Sequence, residues 1–220
     1  MLVPDLVDAL AFLFPVPCAG CATEGRTLCA ACTPQLAPRP RAIDLPGVGP
    51  VTAGLAYDGV ARAALLALKE EGCTALATPL AVPFAAAVST ALAGRPDALI
   101  TAVPSSRPAM RRRGFEPVRL LANRAGIRLS PLFLPAGPHA AQKALGVADR
   151  ARNLDGVFAL ARPVPGIPVL LVDDVVTTGA TLAAAAHVLR AGGATVVGAA
   201  ALAATPRRDG RSVGMLSNSS

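Results

Sequence analysis

The sequence predicts an α/β protein: a doubly wound, mainly parallel sheet preceded by a small cysteine-bearing module. Three observations carry this. Apolar segments of strand length (51–57, 98–103, 169–172, 195–203) alternate with stretches of helical period, the pattern of βαβ units. The run Val169-Leu170-Leu171-Val172 is apolar at every position, as in a strand buried on both faces, and two acids followed by a Thr/Gly turn come directly after it. Ahead of all of these stand two Cys-x-x-Cys pairs, Cys18/Cys21 and Cys29/Cys32. A chain of 220 residues holds one such domain with an appendage. It divides into an N-terminal helix and cysteine module (1–40), the α/β domain (50–205) and a polar tail (206–220) expected to be disordered.

Composition narrows the partners. The net charge of +7 suits phosphorylated ligands or nucleic acid, whereas one tyrosine and no tryptophan argue against a sheet on which bases stack. Residues 1–17 are apolar but carry Asp5 and Asp8 and no basic start, unlike a secretion signal. The uncharged run 72–94 is long enough to suggest a membrane span, yet it is mostly Ala with Thr, Ser, Pro79 and Pro83. It reads as a helical region packed on the sheet, in a soluble, cytoplasmic protein with no membrane span.

Taken in order, Leu2, Leu6, Leu10 and Leu13 fall on one face of a short helix that leads into Phe14-Pro15. The four thiolates of Cys18, Cys21, Cys29 and Cys32 then offer a tetrahedral set that suits Zn2+, with Gly20 and Gly25 supplying turns. Disulfides are disfavoured by the compartment, and a redox pair would want one Cys-x-x-Cys opening a long helix. An iron–sulfur cluster uses the same ligands. All four positions come from protein, so the metal's role is structural. Cys73 sits in an apolar setting as an inert thiol.

The proline-rich stretch 33–50 reads as a linker, 51–57 as a strand, Asp58-Gly59 as a turn and 60–69 as a helix burying Leu65, Leu66 and Leu68. Lys69 ends that helix, either as a solvated cation or facing a ligand. Residues 98–103 form a second buried strand that ends in Pro104-Ser105-Ser106-Arg107, a small hydroxyl-bearing loop fit to hold an anion. Arg111-Arg112-Arg113 is either a solvated patch or a source of bidentate donors, with Arg113 turned to the ligand and Arg111 to solvent. A helix over 117–125 and a strand over 131–134 follow. The aperiodic polar stretch 135–153 is a mobile lid or a plain surface loop, and 157–160 returns as a strand. His139 and His187 have no sequence partner that suggests a triad or a metal site.

The centre of the chain is strand, tight turn, helix. Leu182, Ala185, Ala186 and Leu189 share one helical face, and Gly192-Gly193 ends the helix. The unpaired N–H groups at its start, with the macrodipole, favour an anion. Val175, Val176, Thr177, Thr178, Gly179, Ala180 and Thr181 form that turn, with hydroxyl donors from the threonines. Gly179 lets the backbone curl inward where a Cβ would clash. Asp173 and Asp174, about one ribose away, can accept from two sugar hydroxyls. A strand with two capping acids is the structural alternative. Receiver-type domains also place Asp-Asp after a strand, to bind Mg2+, but lack a Thr-Thr-Gly-x-Thr loop directly behind the acids.

This stretch resembles the phosphoribosyl diphosphate (PRPP) signature of type I phosphoribosyltransferases. The whole chain from 13 to 204 resembles the competence-associated, amidophosphoribosyltransferase-like ComF family. Its marks are the Phe-Pro lead into the cysteine pairs, Tyr57-Asp58-Gly59, Leu68-Lys69 with Gly72, Val103-Pro104, Arg113-Gly114-Phe115, Gln142, and Arg150 with Asn153. Glu116-Pro117 departs from the Asn-Gln that many members place there.

The resemblance implies a type I phosphoribosyltransferase fold behind a zinc ribbon that forms part of a hood, with PRPP or a ribose 5-phosphate-containing ligand. Thr177 to Thr181 hold the 5-phosphate, Asp173 and Asp174 the ribose hydroxyls, and Ser105, Ser106, Arg107 and Arg113 the diphosphate side, with Lys69 facing the ligand. Mg2+ accompanies PRPP and bridges ribose and diphosphate oxygens. Transfer to a nucleophile then proceeds by positioning and charge stabilisation as the C1–O bond breaks. The alternative is a role in DNA uptake, which the resemblance also brings, with single-stranded DNA and competence proteins as partners and the pocket kept for binding alone.

Overall fold

The computed structural model describes residues 16–105, 107–134 and 158–206. The helix expected over 2–13, the Phe14-Pro15 lead, Ser106, the stretch 135–157 with His139, Gln142, Arg150 and Asn153, and the tail from 207 lie outside the described residues. A five-stranded sheet forms the centre, built from β1 (Arg41–Leu45), β2 (Gly49–Ala56), β3 (Leu99–Ala102), β4 (Pro168–Val176) and β5 (Thr195–Ala204). Their order is β1-β2-β5-β4-β3. β2, β5, β4 and β3 run parallel, and β1 is joined to β2 as an antiparallel edge. The expected mixed α/β architecture with a mainly parallel sheet is the one observed.

Both faces of the sheet are covered, as the continuous apolar run of β4 requires. On one face α1 (Gly59–Glu70), α2 (Ala77–Ala91) and α4 (Pro117–Arg124) pack on Leu170, Val172, Ala200 and Leu202. On the other, α5 (Ala180–Ala191) packs on Val169, Leu171, Ala199 and Ala201. Successive residues of β4 and β5 thus serve opposite faces, by the pleat. The alanines of β5 leave both helical layers close to the backbone, so seven consecutive residues, 198–204, are buried. Residues 74–91 are long and apolar enough to cross a membrane by composition alone. Here Leu76, Leu80, Phe84 and Val88 are buried in the same core as β2 and β5, as the reading of a core helix predicts.

The sequence reading needs three corrections. The stretch 33–50 is not merely a linker: it holds a 3-10 turn (Thr33–Leu36) and β1, with Leu45 buried at the strand's end. The segment 131–134 and the described residues 158–160 are not strands. Among the described residues they meet in one antiparallel bridge, Phe133 to Leu160, because Pro131 removes a donor and few ladder bonds follow. The three arginines end a short helix, α3 (Arg107–Arg113), where sequence offered no period long enough to see.

Candidate functional site

The carboxyl ends of the parallel strands share one edge, stitched by backbone bonds from Val103 to Val172, Thr205 to Val176 and Tyr57 to Ala204. At that edge β4 delivers Asp173 and Asp174. Asp174 meets Lys69 of α1, whose Nζ donates to Oδ1 at 2.6 Å. The two side chains are 16% and 14% exposed, so Lys69 is no solvated helix-end cation. Asp173 turns back on the chain and accepts the N–H of Asp174 at 2.8 Å. Desolvation, then the charge of Asp174, push the Asp173 carboxyl up to about 7, against the pull of that N–H and of Lys69.

Val175 is half-buried and Val176 buried, so the side chain of Val176 serves the core and only its backbone is available to a ligand. Thr177, Thr178, Ala180 and Thr181 are exposed around the start of α5, and Thr178 Oγ1 accepts the N–H of Ala180 at 3.3 Å. Gly179 is the cap residue, in the left-handed region at φ 80. A Cβ there would stand 2.6 Å from Leu45 Cδ1. Glycine is therefore required by backbone conformation and by the pressure of β1, which supplies the Cβ clash expected from sequence. Sequence reasoning had no signal for Leu45, since Ile43 and Leu45 among prolines are too few to establish a period. The same hairpin is tied to the far end of α5, where Arg190 donates to the carbonyls of Gly47 and Val48.

The arginines differ in exposure. Arg111 and Arg112 are exposed, whereas the Arg113 side chain is 14% exposed. Both Arg112 and Arg113 reach Glu70 through Nη2, each at 3.2 Å. Arg107 starts α3, and Ser105 is half-buried at the end of β3. A cavity of about 360 Å³ opens beside them, between β3, Met110, Glu116, Arg119 and residues 129–134. Of the predicted residues Ser105 lines it, and the Asp173–Thr181 stretch does not. Glu116, the departure from the family pattern, pairs with Arg119 at its wall. His187 lies on the exposed face of α5.

The four cysteines form a second centre. Their Sγ atoms all lie within 4.8 Å of one another. A tetrahedral Zn2+ with Zn–S near 2.3 Å sets its sulfurs about 3.8 Å apart, and Cys21 and Cys29 stand at 3.6 Å. The N–H groups of Gly20 and Cys29 point at Cys18 Sγ, at 3.4 and 3.3 Å. The Cys29 N–H above all pulls the Cys18 thiol down to about 6, whereas burial pushes Cys32 up to about 12. A cation among the four sulfurs would resolve that contrast by stabilising every thiolate. The donor set thus fits a metal ion. Cys18, Cys32 and Leu36 belong to the same core as Val60 and Leu65 of α1, so the centre is packed onto the α/β body. A Cβ on Gly20 would stand 2.7 Å from Cys32 Sγ. Elemental analysis of untagged protein should give about one zinc per chain. Gly20→Ala and Cys29→Ser should each lower that content and loosen the module, read by protease sensitivity near residue 25. Stoichiometric iron with visible absorption would overturn this assignment.

Comparison with known proteins bears on the β4–α5 unit. A model of the phosphoribosyl transferase domain matches residues 140–216, which include the acids, the turn and α5. Over that third of its length the chain is similar to a phosphoribosyl transferase domain. It is also similar to the DNA utilization protein YhgH of Salmonella typhi and of Escherichia coli strain K12, at 47% identity over 58 residues in each case. That match covers 26% of this chain and 26% of each relative's length.

Proposed function

We propose that this protein is a ComF-type phosphoribosyltransferase that binds PRPP and transfers its ribose 5-phosphate to a nucleophile, releasing diphosphate. The observation that carries the proposal is the order along one strand end: an acid pair braced by Lys69, then a left-handed turn opening a helix. In this reading the N–H groups and hydroxyls of Thr177 to Thr181 seat the 5-phosphate, and Asp173 and Asp174 accept from the ribose hydroxyls. The diphosphate side is assigned to Ser105, Ser106, Arg107 and Arg113. Carboxylates are hard oxygen donors of the kind Mg2+ accepts, and Mg2+ bound with the ligand would neutralise diphosphate charge. The chain's own groups fix C1 in place as its bond to the diphosphate breaks and a bond to the nucleophile forms. Diphosphate departs with the bonding pair. The four cysteines hold a structural Zn2+, and the site of action is the cytoplasm.

The name of the similar proteins, DNA utilization protein, favours a second reading. There the protein handles DNA or competence partners and keeps the ribose-phosphate pocket for binding without turnover.

A screen of purified protein for diphosphate release from PRPP, with Mg2+ and a panel of bases and amines, separates the two. Release with one acceptor class supports the transferase. PRPP binding with no release, together with retention of single-stranded DNA, supports the second. Folded protein with no affinity for PRPP, ribose 5-phosphate or a nucleoside monophosphate would sink the transferase reading.

A further inference from the structure

The last two residues of α1 point to both halves of the candidate site. Lys69 holds Asp174 at 2.6 Å, and the next residue, Glu70, holds Arg113 Nη2 at 3.2 Å. The ion pairs thus run Asp174–Lys69, Glu70–Arg113, joining β4 to α3 through one turn of helix. Glu70 also reaches Arg112, but that side chain is 64% exposed and its pairing is weak. Arg113 is different. It is 14% exposed, and its Nε is buried with no hydrogen-bond acceptor among the described residues. A buried guanidinium N–H without an acceptor is costly, and an anionic oxygen answers it with a short charge-assisted bond.

We propose that Glu70 is a positioning residue of the anion half of the site, holding Arg113 through Nη2 so that the remaining edge of its guanidinium receives a diphosphate oxygen. The inference rests on the ribose-phosphate reading of the site and assigns the diphosphate side to Arg113 acting through Glu70. Two physical roles are open to an acid beside a ligand-binding arginine. It can orient the guanidinium, or it can compete with the anion for it. The geometry favours orientation, because Glu70 is 45% exposed and engages only the Nη2 of Arg113, which leaves Nε unused.

The test is calorimetric titration of full-length protein with inorganic diphosphate and, separately, with ribose 5-phosphate, both with Mg2+. Glu70→Ala removes the acceptor and should weaken diphosphate binding about tenfold, the loss typical of one charge-assisted hydrogen bond. Glu70→Gln keeps an acceptor for Nη2 and should stay within about threefold of wild type. Ribose 5-phosphate affinity should stay within about twofold in both, a selectivity that general loosening of the fold would not produce. Diphosphate binding that is unchanged or tighter in Glu70→Ala, or tighter in Glu70→Gln, overturns the positioning role and makes Glu70 a bystander or a competitor. Should Glu70→Ala fail to fold, Glu70→Gln alone still decides between orientation and competition. Wild-type protein that binds ribose 5-phosphate but not diphosphate overturns this inference alone; binding of neither overturns the proposed function with it.

Discussion

Replacing Gly179 with valine is expected to abolish binding of ribose 5-phosphate and of a nucleoside monophosphate alike, and to lower the melting temperature by roughly 5–10 °C. Two costs combine. The residue sits at φ 80, where a β-branched side chain is strained by on the order of 1–3 kcal/mol. The new Cβ would also meet Leu45 at 2.6 Å, and Leu45, 3% exposed, cannot swing away without opening the core beneath β1. Relief by shifting the turn moves the N–H groups of the first turn of α5, so stability and anion binding fall together. A double variant separates the causes: Gly179→Ala with Leu45→Ala removes the contact and leaves only backbone strain. It should recover part of the affinity that Gly179→Ala alone loses. Ribose 5-phosphate binding to Gly179→Val within twofold of wild type would show that this turn is not the phosphate seat.

How much of this was legible beforehand follows from what each element writes into local sequence. β4 and α5 were readable because a strand buried on both faces is apolar throughout, and the helix behind it shows its period in Leu182, Ala185, Ala186 and Leu189. The cysteine centre was readable from spacing alone. β1 was not: an edge strand buries little, and only Ile43 and Leu45 turn inward among prolines. The tight pairing of Lys69 with Asp174 joins residues 105 positions apart, and the grip of Glu70 on Arg113 joins residues 43 apart. Neither leaves a periodic trace, so sequence placed Lys69 and Arg113 as candidates and passed over Glu70. The cavity beside β3 is assembled from a strand end, two helices and the 129–134 segment, none of which signals it alone.

Asp173 should set the pH dependence of both stability and binding, with opposite signs. Its ordinary value is 3.8, and desolvation together with Asp174 raises it to about 7 in the folded protein. The folded state therefore keeps a proton that the unfolded chain gives up. The stabilisation is complete below pH 3.8 and is lost as pH rises through about 7. Asp173→Asn, neutral at every pH, should add on the order of 1–3 kcal/mol at pH 8 and next to nothing near pH 4. Binding runs the other way, since the ribose hydroxyls and the associated Mg2+ call for the carboxylate. Wild-type affinity for PRPP should climb through neutral pH and level off about one unit above. Asp173→Asn should flatten that climb and weaken PRPP at least tenfold at pH 8, while inorganic phosphate, held by the turn, still binds. Lys69 pulls Asp173 down, so Lys69→Met should shift the midpoint of both curves upward. Melting curves and calorimetric titrations from pH 5 to 9 read all of this. If Asp173→Asn and wild type lose stability in parallel over that range, the proton lies elsewhere, and Asp173 is ionised throughout.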